Sequence, residues 1–196
     1  IEAAVQQAAA HFGGIDVCIN NASAISITPT EKTDLKRFDL MFGVNVRATF
    51  ACSKACLPFL RQAENPHIVN IAPPLNMDAK WFKDHVAYTY TKYGMSVCTL
   101  GMSAEFAADG IAVNSLWPAT TIATAAVKYN FPPAIYARSR KPEIMADAAY
   151  ALITQSARET TGNFYTDEQV LASQGVEDFS TYMLDPAQQP IPDFYV

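Results

Sequence analysis

A chain of 196 residues, 50% of them apolar and 17% charged, has the length and composition of one globular domain with a sizeable core. Its 14 lysines and arginines against 19 acidic residues give a net charge of -5, which argues against nucleic acid as a partner, because phosphate-backbone binders gather Lys and Arg on one face. No apolar run reaches the ~20 residues of a membrane span, and residues 1–11 lack the basic flank and apolar block of a secretory signal, so a soluble cytoplasmic protein is expected.

The chain opens in a helical pattern, with Val5, Ala8, Ala9 and Phe12 as its apolar stripe and Gly13-Gly14 as its stop. Residues 15–20, IDVCIN, then read as a strand. Thr33 is placed to cap a helical region that runs through Leu35, Phe38, Met41, Val46, Phe50, Leu57 and Leu60, with Gly43 a break into two pieces. A second strand is expected over residues 67–72, then a helix over 86–106, a strand over 110–117, and a short strand over 162–166. Between the last two lie residues 118–141, a loop without clear period, and a helix that Pro142 opens, through Met145, Ala149, Leu152 and Ile153. From Asp185 the chain is rich in Pro and Gln and reads as a surface-hugging extension. Strands alternating with helices predict an α/β fold, a parallel sheet covered on both faces.

Two side-chain patterns add to this. Between Val86 and Ala104 the only charged residue is Lys92, so that helix has almost no water-facing stripe and must be covered on nearly all sides. A homodimer or homotetramer is therefore expected, with this region and the helix around residues 46–60 in the interface. The four cysteines, Cys18, Cys52, Cys56 and Cys98, form no CxxC pair and sit beside no His at ligand spacing. They read as reduced core thiols, and no metal site is expected.

Tyr88 and Lys92 stand four residues apart, hence about one helical turn apart on one face. An ammonium beside a phenol stabilises the phenolate, which lets a Tyr exchange a proton with a carbonyl or an alcohol near neutral pH. In a chain with nine tyrosines YxxxK is weak alone, and its context decides. That context is DVCINNAS over residues 16–23, Val44-Asn45, IVNI over 68–71, YxxxK over 88–92 and VNSLWP over 113–118. In order and approximate spacing this set resembles the short-chain dehydrogenase/reductase family, over roughly residues 1–167. More narrowly, NNASAIS at 20–26, APPLN at 72–76, Trp81-Phe82-Lys83, residues 87–96 and residues 146–150 are similar to its hydroxysteroid dehydrogenase-like subgroup, and that likeness reaches into the last residues.

The resemblance implies a Rossmann-like doubly wound parallel sheet and hydride transfer between NAD(H) or NADP(H) and a carbonyl or alcohol. Tyr88 would be the acid/base and Lys92 would bind the nicotinamide ribose and lower the Tyr88 pKa. Asn45 would hold a water that relays protons from Lys92. Asn21 and Ala22 would line the cofactor, and Pro118, Thr121, Ile122 and Thr124 would cover the nicotinamide. The apolar stretch 122–135 suggests a small apolar carbonyl or alcohol as substrate.

The chain departs from the family's pattern in four places. Pro118-Ala119 stands where the family has Pro-Gly, and Thr124 lies six residues after the Pro rather than five. The catalytic Ser position is Pro73, and no Ser or Thr occurs between Asn70 and Ala87. Asn76 or His85 could donate instead, while the plainer reading has Asn76 capping a turn and His85 facing water. The phosphate turn TGxxxGxG does not occur, nor do the strands that would precede residue 15. The expected organisation is thus a core over 1–167 lacking the first βαβ units, with a C-terminal extension over 168–196. About 80 to 100 further residues are expected before Ile1. The alternative function is a catalytically degenerate member acting as a nucleotide- or lipid-binding module.

Overall fold

The computed structural model describes residues 1–196. Helix α1, Glu2–Phe12, ends at Gly13, whose φ of 86° is open to glycine at no steric cost, and the chain turns into strand β1, Val17–Asn20. Helix α2, Leu35–Met41, runs through one wide π-helical turn, Phe42–Arg47, directly into α3, Ala48–Leu60. Strand β2, His67–Asn70, helix α4, Val86–Glu105, and strand β3, Ala112–Trp117, follow. The stretch after β3 holds two short helices, α5, Ala125–Asn130, and α6, Pro133–Ala137. Helix α7, Glu143–Ile153, strand β4, Phe164–Thr166, and helix α8, Asp167–Ser173, complete the order.

The four strands form one parallel sheet in the order β1-β2-β3-β4, with Cys18, Ile68 and Val113 in register across three of them. Every residue of β2 and β3 is buried, the pattern of parallel strands covered by helices on both faces. On one face α3 and α4 enclose Cys56, Leu60, Ile68, Met102, Phe106 and Val113. On the other, α7 and α8 pack Ile144, Ala148, Leu152, Val170 and Leu171 against Val69 and Leu116. β1 is an edge strand, and its Ile19 is 45% exposed. No helix is long and apolar enough to cross a membrane.

Several local expectations shift. Asp34, not Thr33, caps α2: its carboxylate accepts from Lys36 N at 2.8 Å, satisfying a first-turn donor and favouring the positive helix end. Gly43 breaks no helix, because the wide turn absorbs one extra residue there. Pro142 precedes α7 rather than opening it, and Thr124 caps α5 within the segment read as loop. His67, which reads as solvated, is wholly buried with Nε2 donating to the Gln155 carbonyl at 3.1 Å, and burial holds its pKa below the usual value. The final residues dip inward instead of hugging the surface: Tyr195 is 1% exposed.

The outer face of α4 carries Tyr90, Val97 and Leu100 at 53–58% exposure, beside Phe50 of α3. Phe38, Phe42 and Tyr90 stack there with centroids 6.2–6.4 Å apart. Across the inner contact, α4 approaches the wide turn so closely that a Cβ on Gly94 would lie 2.5 Å from Val46 Cγ2. Gly94→Ala should therefore destabilise the fold by about 1–3 kcal/mol in urea unfolding, and Val46→Ala in the same chain should recover part of that loss by vacating the contact.

Candidate functional site

Because a strand's carboxyl end opens into its following loop, the ends of β1, β2 and β3 meet above the sheet and leave a crevice. A cavity of about 740 Å³ lies there. Tyr88 and Lys92 line it from α4, Asn21 and Ala22 from the loop after β1, and Pro118, Thr121, Ile122 and Thr124 from the stretch after β3. These eight candidate residues share one wall system, whereas Asn45 stands behind it.

Asn45 is fully buried in the wide turn. Its Oδ1 accepts from Ala24 N at 2.8 Å and Ser23 Oγ at 3.1 Å, and its Nδ2 donates to Ala24 O and Thr91 Oγ1, each at 3.0 Å. Both lone pairs and both hydrogens of the carboxamide are thereby used, so the side chain positions the loop after β1 against α4.

Lys92, 2% exposed, donates from Nζ to the Ile71 carbonyl at 2.6 Å, touches Met95 Sδ at 3.3 Å and stands 5.0 Å from the Trp117 ring centre. Burial lowers its pKa to about 7, against the opposing pull of Asp193. The Tyr88 hydroxyl takes no hydrogen-bond partner from the chain, and burial, with the acidic groups of Tyr195 and Asp193 behind it, pushes the phenol well above its ordinary value. In this arrangement the Lys92 ammonium points to the Ile71 carbonyl.

Beneath the cavity a row of polar side chains crosses three strands. Asn20 Nδ2 donates to Asn70 Oδ1 at 2.8 Å and to Ser53 Oγ at 3.0 Å, Asn70 Nδ2 donates to Thr99 Oγ1 at 2.8 Å, and Thr99 meets Ser115 at 2.8 Å. The third strand asparagine, Asn114, bonds a distant segment: its Nδ2 donates to Thr160 O at 2.7 Å and its Oδ1 accepts from Asn163 N at 3.0 Å.

At the position of the missing hydroxyl, the Pro73 carbonyl accepts from Ser96 Oγ at 2.7 Å. Asn76 caps a turn, accepting from Asp78 N at 3.1 Å. His85 does not face water: it is buried, with Nδ1 2.9 Å from Thr89 Oγ1 and its ring 5.0 Å from that of Phe194. Neither side chain lines the cavity. Ile191, Pro192, Asp193 and Phe194 do, and they were missed because this segment has no periodicity to place it. Its one signal was the run of aromatic residues Phe194-Tyr195 at the end of a polar stretch.

The parallel sheet, the crevice at its strand ends and the Tyr88–Lys92 pair define a dinucleotide-fold dehydrogenase type. The family model for short chain dehydrogenase matches residues 1–133, and the chain belongs to that family. Hydroxysteroid dehydrogenase-like protein 2 of Homo sapiens is 50% identical over all 196 residues, which cover 46% of that protein, so the chain spans about half the length of the curated relatives it matches. Among solved structures, a candidate dehydrogenase of Xanthomonas campestris is 48% identical with a TM-score of 0.96, over 100% of this chain and 71% of its own. A short chain dehydrogenase of Mycobacterium thermoresistibile is 45% identical with a TM-score of 0.92, over 100% of this chain and 69% of its own.

The Lys92 environment has a consequence for stability. With its pKa lowered from 10.5 to about 7, the unfolded chain binds more protons than the folded one between those values, so stability rises with pH across that window and the penalty is full below it. Urea midpoints measured from about pH 7 to about pH 10 should climb for this reason, and Lys92→Met should flatten the climb.

Proposed function

We propose that this chain forms the catalytic core of an oxidoreductase that interconverts a carbonyl and an alcohol by hydride transfer with NAD(H) or NADP(H), Tyr88 exchanging the proton. The observation that carries the reading is the placement of Tyr88 and Lys92 one turn apart on a single cavity wall, opposite Asn21, Ala22 and Pro118. The donor set suits a nicotinamide riboside. Ile19, Ile71 and Pro118 offer apolar walls for a flat ring, and Lys92 keeps an N–H beyond the one given to Ile71 for a ribose hydroxyl. Bound there, the nicotinamide would supply or accept the hydride.

The chain's own residues do the rest. Asn45 fixes the backbone of residues 21–24 that faces the ribose. Thr121 and Thr124 belong to the cover: Thr121 Oγ1 bonds Ser139 Oγ at 2.8 Å, and Thr124 starts α5. Ile122, Val127, Phe131, Ile135 and Met145 make an apolar chamber that suits a small apolar carbonyl or alcohol and excludes water from the transfer. The four free cysteines suit a reducing compartment such as the cytoplasm. The exposed aromatic and aliphatic face of α4 and α3 suits a homodimer or homotetramer.

A second reading, a catalytically degenerate module that binds a nucleotide or lipid, is favoured by Pro73 at the position of the family's Ser and by the absence of Ser or Thr between Asn70 and Ala87. Titration with NADH and NADPH followed by a turnover screen over apolar ketones separates the two, since a binder shifts its melting temperature without oxidising the nucleotide. In the oxidoreductase reading, Tyr88→Phe lowers turnover by at least ~10²-fold and leaves nucleotide affinity nearly unchanged; equal turnover would remove Tyr88 from the mechanism. Light scattering at micromolar concentration should report a dimer or tetramer, and Tyr90→Glu with Leu100→Glu should shift it toward monomer.

A further inference from the structure

A fully buried ammonium with no counter-charge is among the costliest things a fold can hold, and Lys92 comes close to that state. Its contacts are a carbonyl, a thioether and an indole face, none of which carries a negative charge. The cavity that Lys92 lines contains a single carboxylate, Asp193.

Asp193 is held there by more than chance packing. Asp193 N donates to Ala119 O at 3.1 Å and Thr121 N to Ile191 O at 2.9 Å, which adds the closing segment to the stretch after β3 as a short antiparallel rung. Trp117 Nε1 donates to Phe194 O at 2.8 Å. Tyr195 is the anchor: its ring packs among Trp81, Tyr93, Trp117 and Phe194, and its hydroxyl meets Thr89 Oγ1 at 3.0 Å. Since Thr89 gives its own hydrogen to Trp81 O at 2.6 Å, Tyr195 is the donor to it. Its φ of 72°, an unfavourable value for a side chain of that size, is one that surrounding contacts must enforce. One Asp193 oxygen accepts from Phe194 N at 2.6 Å, and the other takes no hydrogen bond from the chain.

We propose that the closing segment completes the site by holding the Asp193 carboxylate in the cavity as the counter-charge of Lys92, which makes Asp193 a positioning residue for that lysine. The inference deepens the oxidoreductase reading and rests on it only for its effect on turnover. The direction of each titration agrees: Asp193 raises Lys92 against burial, Lys92 lowers Asp193 against burial, and the two settle at about 7 and about 6. The other ionisable groups facing this pair are Tyr88 on α4, Tyr195 in the closing segment, and Asp167 at the start of α8, which itself faces Arg140.

The test is a lysine-selective NMR titration of the full chain, without nucleotide, with the Lys92 signal assigned from Lys92→Arg. Asp193→Asn, nearly isosteric, should lower the Lys92 midpoint by about one unit, and Asp193→Glu should restore most of it. Asp193→Ser gives the same comparison should Asp193→Asn fail to fold, as judged by thermal unfolding. An unchanged Lys92 midpoint in a folded Asp193→Asn or Asp193→Ser chain overturns the proposal. Reduction of 2-octanone with NADH or NADPH, followed against pH in parallel, separates this from the broader reading. A Lys92 shift without turnover in any variant supports the counter-charge and sinks the oxidoreductase reading. Turnover that needs Tyr88, with a Lys92 midpoint indifferent to residue 193, sinks the counter-charge alone.

Discussion

Out of reach of water, the Asn45 carboxamide has to find four hydrogen-bond partners inside the protein, and those it finds tie the loop after β1 to the helix that carries Tyr88 and Lys92. That loop supplies the Asn21 and Ala22 wall of the cavity, and the helix supplies the opposite one. Neither wall is otherwise fixed relative to the other by backbone pairing, since the loop leaves the sheet at Asn20 and α4 is not part of it. The wide turn at 42–47 has its place in this: by inserting one residue into the helical path, it sets Asn45 where a regular helix would have carried it round by about 100° per residue. Leaving any of these four groups unpaired in the interior would cost about 1–3 kcal/mol, so the clamp holds or fails as a unit.

The clamp works only because the backbones approach closely. Gly94 lets α4 settle onto Val46 of the same turn, one residue from Asn45, and the polar row from Asn20 to Ser115 then fixes how the strand ends lie beneath. Packing on the sheet's two faces provides the stability, whereas the hydrogen-bonded side chains provide position. A hydrophobic replacement of the Asn20–Asn70–Thr99 row would keep the burial and lose the directional contacts that set strand ends to within a hydrogen bond's tolerance.

Much of this was legible in the residues. The β-branched runs around Val17, Ile68 and Val113 had the length and apolar continuity of buried parallel strands, and the charge-poor stretch around Lys92 could only be a covered helix. The Tyr88–Lys92 spacing placed both groups on one wall because a helix's periodicity is fixed by its backbone. What stayed hidden depended on contacts between distant segments. His67 opens a strand and looks solvated until Gln155, 88 residues on, covers it. Asn20 and Asn70, at strand ends, read as bonded to neighbouring backbone until the register sets them side by side. Asp193 and Tyr195 lie in an aperiodic segment whose path is decided by an aromatic pocket drawn from α4, β3 and the turn at Trp81. Local pattern carries no information about such pairings.

Burial decides which proton states the cavity wall holds. A phenol pushed well above its ordinary pKa stays protonated near neutral pH, so in the oxidoreductase reading Tyr88 would enter the reaction as its acid. In the oxidoreductase reading that suits the direction in which a carbonyl is reduced and its oxygen takes a proton. The opposite direction needs Tyr88 as a base, hence a positive charge close to its oxygen, and the nearest ammonium is turned toward the Ile71 carbonyl. Rotating Lys92 toward the phenol while keeping it charged needs a counter-charge that remains in the cavity when the Ile71 contact is given up. A carboxylate fixed on a separately anchored segment meets that requirement, because its position does not move with the helix that bears the lysine.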